Sequence, residues 1–400
     1  MTVDEAPWQP DPSGAELGGS GLFPELASAA YLAHAAVSVP SLEVRRAVSA
    51  AVSDFATRGV SAVPAWNEQR ARLKTRLARL IAADAREIAL VPGTTRGVID
   101  VALSLPWKDG DRVVCFEGEF PTNVTPWQRA AETFHLELAL LDAERTATGE
   151  GLEDLERLLR RGVRLVAMSA VQFQTGLRMP LEEVGALCRR YGAELFVDAI
   201  QACGVAPLDV GRANIDYLTC GSHKWLMGLS GAGFVYVRGE LAERLVPRVA
   251  GWLSHEDPLR FLFEPNALRY DRPFKKSAEL LEQGAPSFVG FAALEGAVAC
   301  IEALGVEAIA AHVQRYHDAI EETLEARGFT SERRSQSSLR SGILSFRPRE
   351  GVDLRVLSRE LDRRGVVVSI PDGRLRLAPH WPNALREIEH VLHALDSALG

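Results

Sequence analysis

Cysteine, lysine and net positive charge are all in short supply in this 400-residue sequence, and each shortage excludes something. The cysteines are Cys115, Cys188, Cys203, Cys220 and Cys300: an odd number, scattered, with no Cys-x-x-Cys spacing. That excludes a dense disulfide framework and a cysteine-based structural zinc site, and it fits a reducing compartment. No metal-ligand set is expected. No apolar run reaches membrane length, and residues 1–21 are polar and Pro/Gly-rich, without a basic stretch followed by an apolar one. The expected location is the cytoplasm, with no membrane partner. Lys and Arg number 45 against 53 Asp and Glu, giving a net charge of −8 and a pI near 5.7. No dense basic patch with interleaved aromatics stands out, so no nucleic-acid partner is expected. The arginines of residues 70–79 recur at helical spacing and read as a solvated helix face.

What is present is enough apolar sequence, 47% of residues, to bury a large core, over a length that suggests two or three domains. From about residue 87 to 240, strand-like and helix-like patterns alternate, which predicts a mainly parallel sheet between helices. The predicted strands are 87–91, 112–116, 136–141, 163–169, 194–197, 215–219 and 232–238. Ser41 is a good N-cap for a helix over 43–55, and further helices are predicted over 65–83, 98–105, 152–160 and 180–191. Residues 1–20 read as a flexible arm, 21–260 as a large domain, and 261–400 as a smaller α+β domain entered through a Pro-, Phe- and Arg-rich connection over 257–273. In the later domain, long helices run from Ser287 to about 327. Short strands at 342–346, 366–369 and 374–378 precede a last helix over 385–399.

Two short stretches carry the chemistry. Leu195–Val197 is an apolar run that ends in Asp198, as a buried parallel strand ends at the functional edge of an α/β sheet. Thr219–Trp225 then sets Lys224, one of only five lysines, after a Gly-Ser-His turn. Such an acid and such a lysine suit pyridoxal phosphate, PLP: the lysine forms the Schiff base and the acid keeps the pyridine nitrogen protonated. Gly228, Gly231 and Gly233 form a Gly-x-x-Gly-x-Gly run that precedes a strand instead of linking strand to helix, so a dinucleotide site is not expected. Pro92–Gly97 follows a strand and opens a helix with Thr94 and Thr95, a terminus that offers free N–H groups to a phosphate.

Asp198-x-x-Gln201 followed by Ser222–His223–Lys224 resembles the class V aminotransferase family, the fold-type-I group that includes cysteine desulfurases and isopenicillin N epimerases. The resemblance spans most of residues 30–395. It implies a fold-type-I PLP enzyme with a seven-stranded sheet, a small α-amino-acid substrate, and a homodimer with shared active sites. By the same resemblance Thr94 and Thr95 hold the cofactor phosphate with Ser222 and His223, Phe120 stacks on its ring, and Gln201 bonds its ring oxygen. Lys224 is the catalytic residue. Arg376, in Arg-Leu-Ala-Pro-His, matches the arginine that grips the substrate carboxylate, a task for a planar fork. His34, in the opening Tyr-Leu-Ala-His-Ala-Ala segment, reads either as a substrate contact or as a packed loop histidine. The sequence departs from the family pattern at three places. Ala33 replaces an Asn. Phe173 stands where many relatives carry an Asn on the cofactor's phenolic oxygen, with Gln172 or Gln174 as substitutes. Ala285 replaces the Thr of the turn that reaches the other subunit.

Deprotonation at Cα is common to elimination, epimerisation and transamination. No cysteine follows Cys300, and the turn over Ser369–Gly373 is short, so a persulfide-forming desulfurase is not expected. The favoured reading is a lyase cleaving a C–S or related bond, with an epimerase or aminotransferase as alternatives. A non-catalytic PLP-fold binding protein is a further alternative, and the intact Lys224 counts against it.

Overall fold

A computed structural model describes residues 8–399. In chain order the elements are β1 (Ala30–Tyr31), α1 (Leu42–Arg58), α2 (Val63–Leu80), β2 (Ile88–Val91), α3 (Thr94–Ser104), β3 (Arg112–Phe116), α4 (Thr125–Phe134), β4 (Glu137–Leu141), α5 (Ala143–Ala147), α6 (Leu152–Leu159), β5 (Leu165–Ser169) and α7 (Leu181–Tyr191). They continue with β6 (Glu194–Asp198), β7 (Tyr217–Gly221), β8 (Gly233–Val237), α8 (Gly239–Ala242), α9 (Phe288–Leu304), α10 (Val306–Glu325), β9 (Thr330–Ser331), β10 (Leu344–Arg347), α11 (Leu354–Arg363), β11 (Val366–Val367), β12 (Leu375–Leu377) and α12 (Ile388–Leu399).

The main sheet has seven strands in the order β2-β8-β7-β6-β5-β3-β4. Only β8 runs against its neighbours. Strands β5, β6 and β7 are buried along their whole length, as their near-continuous apolar sequences require when helices cover both faces. Because β2, β6 and β7 point the same way, the turns after Val91, Asp198 and Gly221 open at one edge. Gly97 lets α3 lie on this sheet: a Cβ there would stand 2.2 Å from the Thr219 hydroxyl. A smaller three-stranded sheet, β12-β10-β9, packs against α10, α11 and α12, and β11 pairs with β1 from the other end of the chain.

Three sequence expectations change. Helix α9 is buried against α1 and α2 in the core beneath the large sheet, while Ala30 and Leu32 join the later cluster, so packing does not divide at residue 260. Residues 8–20 are held rather than free: the Asp11 N–H donates to Glu43 (2.8 Å) and the Gly18 N–H to the Trp381 carbonyl (2.7 Å); residues 1–7 of the expected arm lie outside the described residues. Arg79 stays exposed, but Arg70, Arg72 and Arg76 are only partly so and pair with Glu282, Glu295 and Glu302, an ion-pair seam that joins α2 to α9 and the turn before it. Helix α4 went unpredicted; it buries Trp127 and Ala130 behind a proline start. Among the described residues no single helix is long and apolar enough to cross a membrane.

Candidate active site

The carboxyl ends of β2, β6 and β7 open into a pocket of about 620 Å3. It gathers Thr94, Thr95, Phe120, Asp198, Gln201, His223, Lys224 and Arg376 from segments up to 282 residues apart in sequence (376 − 94).

One end is the start of α3. Gly93 caps it at φ 156°, a backbone region that glycine tolerates, and no side chain serves as the cap. The first N–H groups of the helix therefore face the pocket without intrahelical acceptors. The Thr94 hydroxyl is buried there with no hydrogen-bond partner, and Thr95 shares its hydroxyl with that of Thr122 at 2.8 Å. An orphaned buried hydroxyl beside free helix N–H groups is a cradle for an anion. The half-buried His223 also lines the pocket, and burial and the neighbouring lysine lower its pKa, which favours the neutral ring.

Asp198 closes β6, 3% exposed. Its carboxyl accepts one hydrogen bond, from the Ile200 N–H at 3.0 Å. Burial raises its pKa to about 7; the Ile200 bond opposes the shift, Glu119 adds to it, and Lys224 opposes it. A carboxylate so buried and so thinly bonded calls for a cationic N–H donor from a ligand. Burial likewise lowers Lys224 to about 8, with Asp198 acting against the shift and Arg376 with it. The Lys224 Nζ lies 5.5 Å from the centre of the Phe120 ring, and Phe120 meets the edge of Phe173 at 5.2 Å. A buried, thinly bonded acid, a lysine, an aromatic ring and an anion cradle lining one pocket fit pyridoxal phosphate.

Arg376 also lines the pocket, 4% exposed. Its Nε donates to the Ser369 hydroxyl (2.9 Å) and its Nη1 to the Phe173 carbonyl (2.5 Å). No acid pairs with it among the described residues: Glu387, one possible partner, accepts from Asn383 instead, and Arg374 takes up Glu332 and Asp372. Burial alone pushes Arg376 down to about 10. A desolvated guanidinium bonded only to neutral oxygens in a pocket is a receptor for a carboxylate.

Two expected residues stay outside the pocket. His34 is 1% exposed, bonded through Nδ1 to Ser38 at 2.9 Å, because the Ala33–Ala378 bridge draws its segment inward; Ala35 and Ala36 line the pocket in its place. Ser222 is fully buried and donates to the Leu229 carbonyl, which ties the turn after Lys224. Gln201 does line the pocket, but its amide is largely engaged: Nε2 donates to the Ala35 carbonyl (3.1 Å) and Oε1 accepts from Trp225 (2.8 Å), leaving one N–H for a ligand. Neither Gln172 nor Gln174 reaches the pocket; they bond Glu119 (3.1 Å) and Asp372 (3.0 Å). The Ser287 hydroxyl caps α9. Sequence reasoning passed over Glu119, a buried acid that accepts from the Ser169 N–H (2.7 Å) and hydroxyl and acts on Asp198. It also passed over Arg96, which lines the pocket while bonded to Asp100 and Gln283. An acid immediately before the stacking aromatic was the available signal for the first. Nothing in spacing marked the second.

Fold and site together define a fold-type-I pyridoxal-phosphate enzyme. The family described as Aminotransferase class-V matches residues 30–375, and the chain belongs to it. An uncharacterized aminotransferase, YcbU of Bacillus subtilis, is 26% identical over 93% of this chain and 95% of its own length. A probable cysteine desulfurase of Pyrococcus abyssi is 27% identical over 80% of each chain. Among solved structures, the apo cysteine desulfurase of Thermococcus onnurineus superposes with a TM-score of 0.83 at 23% identity, over 98% of this chain and 99% of that one. The cystine C–S lyase C-DES, in complex with its product cysteine persulfide, superposes with a TM-score of 0.84 at 22% identity, over 93% and 98% of the two chains. Pyridoxal phosphate is thus the cofactor of this enzyme.

Proposed function

We propose that the enzyme is a lyase that breaks the Cβ–S bond of a small α-amino acid. The observation that carries the amino-acid reading is Arg376, a buried guanidinium without an acidic partner that faces the same pocket as Lys224 and Asp198. It receives the substrate carboxylate. Bound between these walls, the cofactor supplies an electron sink for the pair left at Cα. Asp198 would hold the ring nitrogen's proton, the α3 terminus with Thr94 and Thr95 would hold the phosphate, and Phe120 would cover the ring and exclude water. Lys224 would hold the cofactor through its amine, and its free amine would take the Cα proton as general base; a pKa lowered towards neutrality suits that task. The pair left at Cα then forms the Cα–Cβ double bond as the Cβ–S bond breaks, its own pair leaves on sulfur, and the sulfur takes up a proton as thiol.

Support for a sulfur substrate comes from the relatives, named as cysteine desulfurases and a C–S lyase. Support for release without an enzyme-bound persulfide comes from the cysteines: all five are free and buried, and none lines the pocket. A homodimer belongs to the same reading. The connection over 257–274 leaves Phe263 81% and Tyr270 88% exposed, and Gln283, in the turn before α9, bonds Arg96 of the pocket lining. The test is an amino-acid panel given to the holoenzyme. Thiol or sulfide together with ammonia and a keto acid supports the lyase. Stereochemical inversion or amino transfer without sulfur release overturns it.

A further inference from the structure

The backbone of Lys224 is gripped from outside its own loop, at three successive carbonyls. The Ser38 N–H donates to the His223 carbonyl at 2.8 Å. The Ser38 hydroxyl donates to the Lys224 carbonyl at 2.5 Å. The His380 Nε2 donates to the Trp225 carbonyl at 2.8 Å. The tautomer is fixed, because His380 Nδ1 accepts from the Trp381 N–H at 2.7 Å, which leaves the proton on Nε2. Both grips are themselves held. Ser38 accepts from His34 Nδ1 at 2.9 Å. The Ala378 N–H donates to the Leu32 carbonyl (2.8 Å) and the His34 N–H to the Ala378 carbonyl (3.2 Å), which straps the segment before Ser38 to the one before His380. The His34 and His380 rings meet edge to face at 5.5 Å. His380 is completely buried, and burial pushes its pKa down to about 4, so it stays a neutral donor at any working pH.

A lysine amine rides on a flexible four-carbon stem. Its reach is set by where its backbone is held, and here that hold comes from neither β7 nor β8. Beyond the local turn bond from the Met227 N–H to the Lys224 carbonyl (2.8 Å), it comes from an opening segment and from the same late run that carries Arg376, four residues before His380. We infer that Ser38 and His380 are positioning residues for Lys224: they fix its backbone so that Nζ reaches the Cα proton of a substrate whose carboxylate is anchored on the adjoining Arg376. This rests on Lys224 being the cofactor lysine.

The experiment compares Ser38→Ala and His380→Phe, which delete the donors, with Ser38→Thr and His380→Gln, which keep them. All are made as holoenzymes. Borohydride reduction and peptide mass spectrometry first establish the phosphopyridoxyl group on Lys224 of the unaltered enzyme; its absence there would defeat the cofactor-lysine reading instead of this one. The rate of substrate Cα–H exchange in D2O should fall roughly 10- to 100-fold in the donor-deleted pair, the loss expected of a misplacement on the ångström scale. KM should hold, the pH midpoint of the cofactor's visible band should shift, and the donor-keeping pair should recover the exchange. Should His380→Phe fail to fold, Ser38→Ala, which removes a single hydroxyl, carries the comparison alone. A fall in melting temperature with exchange rate and band midpoint unchanged overturns the inference, as does loss of exchange that the donor-keeping variants do not restore.

Discussion

Arg376 and Phe173 are joined by a 2.5 Å hydrogen bond from guanidinium to backbone carbonyl, across 203 residues of sequence. The bond aims the fork, with Ser369 at its other side, and occupies it with nothing charged. Arg376→Lys keeps a cation but loses the fork. Substrate use should weaken by roughly 1.5–3 kcal/mol, the scale of a hydrogen bond to a charged group, with the cofactor band intact. Arg374→Lys, which alters a residue already paired with Glu332, should leave steady-state kinetics unchanged.

Thr94 offers a buried hydroxyl that no protein atom satisfies. Thr94→Val should therefore weaken binding of pyridoxal phosphate to the apoenzyme while hardly altering that of pyridoxal, which lacks the phosphate. Absorbance titrations with both compounds measure the difference. Equal losses for both would show that the hydroxyl serves packing.

The acid behind the ring makes the apoenzyme sensitive to pH. The folded Asp198 has a pKa raised to about 7 from 3.8, chiefly by burial. Between these values the native state holds a proton that the unfolded chain has released, so the contribution is full below the lower value and is lost as pH rises through the upper one. The melting temperature of the apoenzyme should accordingly fall from pH 4 to pH 7, and Asp198→Asn should flatten that part of the slope. Asp216 and Glu119 titrate in the same direction, so the difference between variant and wild type is the quantity to read.

The exposed aromatics of residues 257–274 predict a homodimer. Sedimentation should give twice the chain mass, and Phe263→Asp with Tyr270→Asp should yield monomers with reduced activity. An unaltered enzyme that is fully active as a monomer would refute the shared site.

The cysteines give a chemical prediction. Burial pushes Cys188 and Cys300 up to about 12 and raises Cys115 and Cys220 as well. Thiolates are the reactive form, so the native enzyme should resist thiol reagents and carry no persulfide during turnover. Mass spectrometry of enzyme quenched in the steady state checks both.

Much of this was legible in the sequence because the signals are local. A buried strand ending in Asp198, a glycine turn before Thr94 and a lone lysine at 224 each announce their position within a few residues, and the structure brings them to one pocket. The misreadings are all of another kind. Ser222 sits beside functional neighbours but its side chain is spent on Leu229, and His34, open between substrate contact and packed loop histidine, proves to be the latter, spent on Ser38; hydrogen-bond partners so placed leave no mark on spacing. The arginines of α2 have the pattern of a wet face; only the acids of α9, more than 200 residues on, turn that face inward. Glu119 and Arg96 matter through what tertiary structure sets beside them.

The strap between residues 32–38 and 376–380 has a consequence for the order of events in the cell. A ribosome completes the large sheet, Lys224 included, long before it reaches His380, and until then the Trp225 and Phe173 carbonyls lack their donors. Late contacts of this separation are the slow ones in folding. A chain that stops short of β12 would therefore be expected to keep a sheet and a lysine without an aligned active site, so the run from β12 to His380 acts as a checkpoint on catalytic competence.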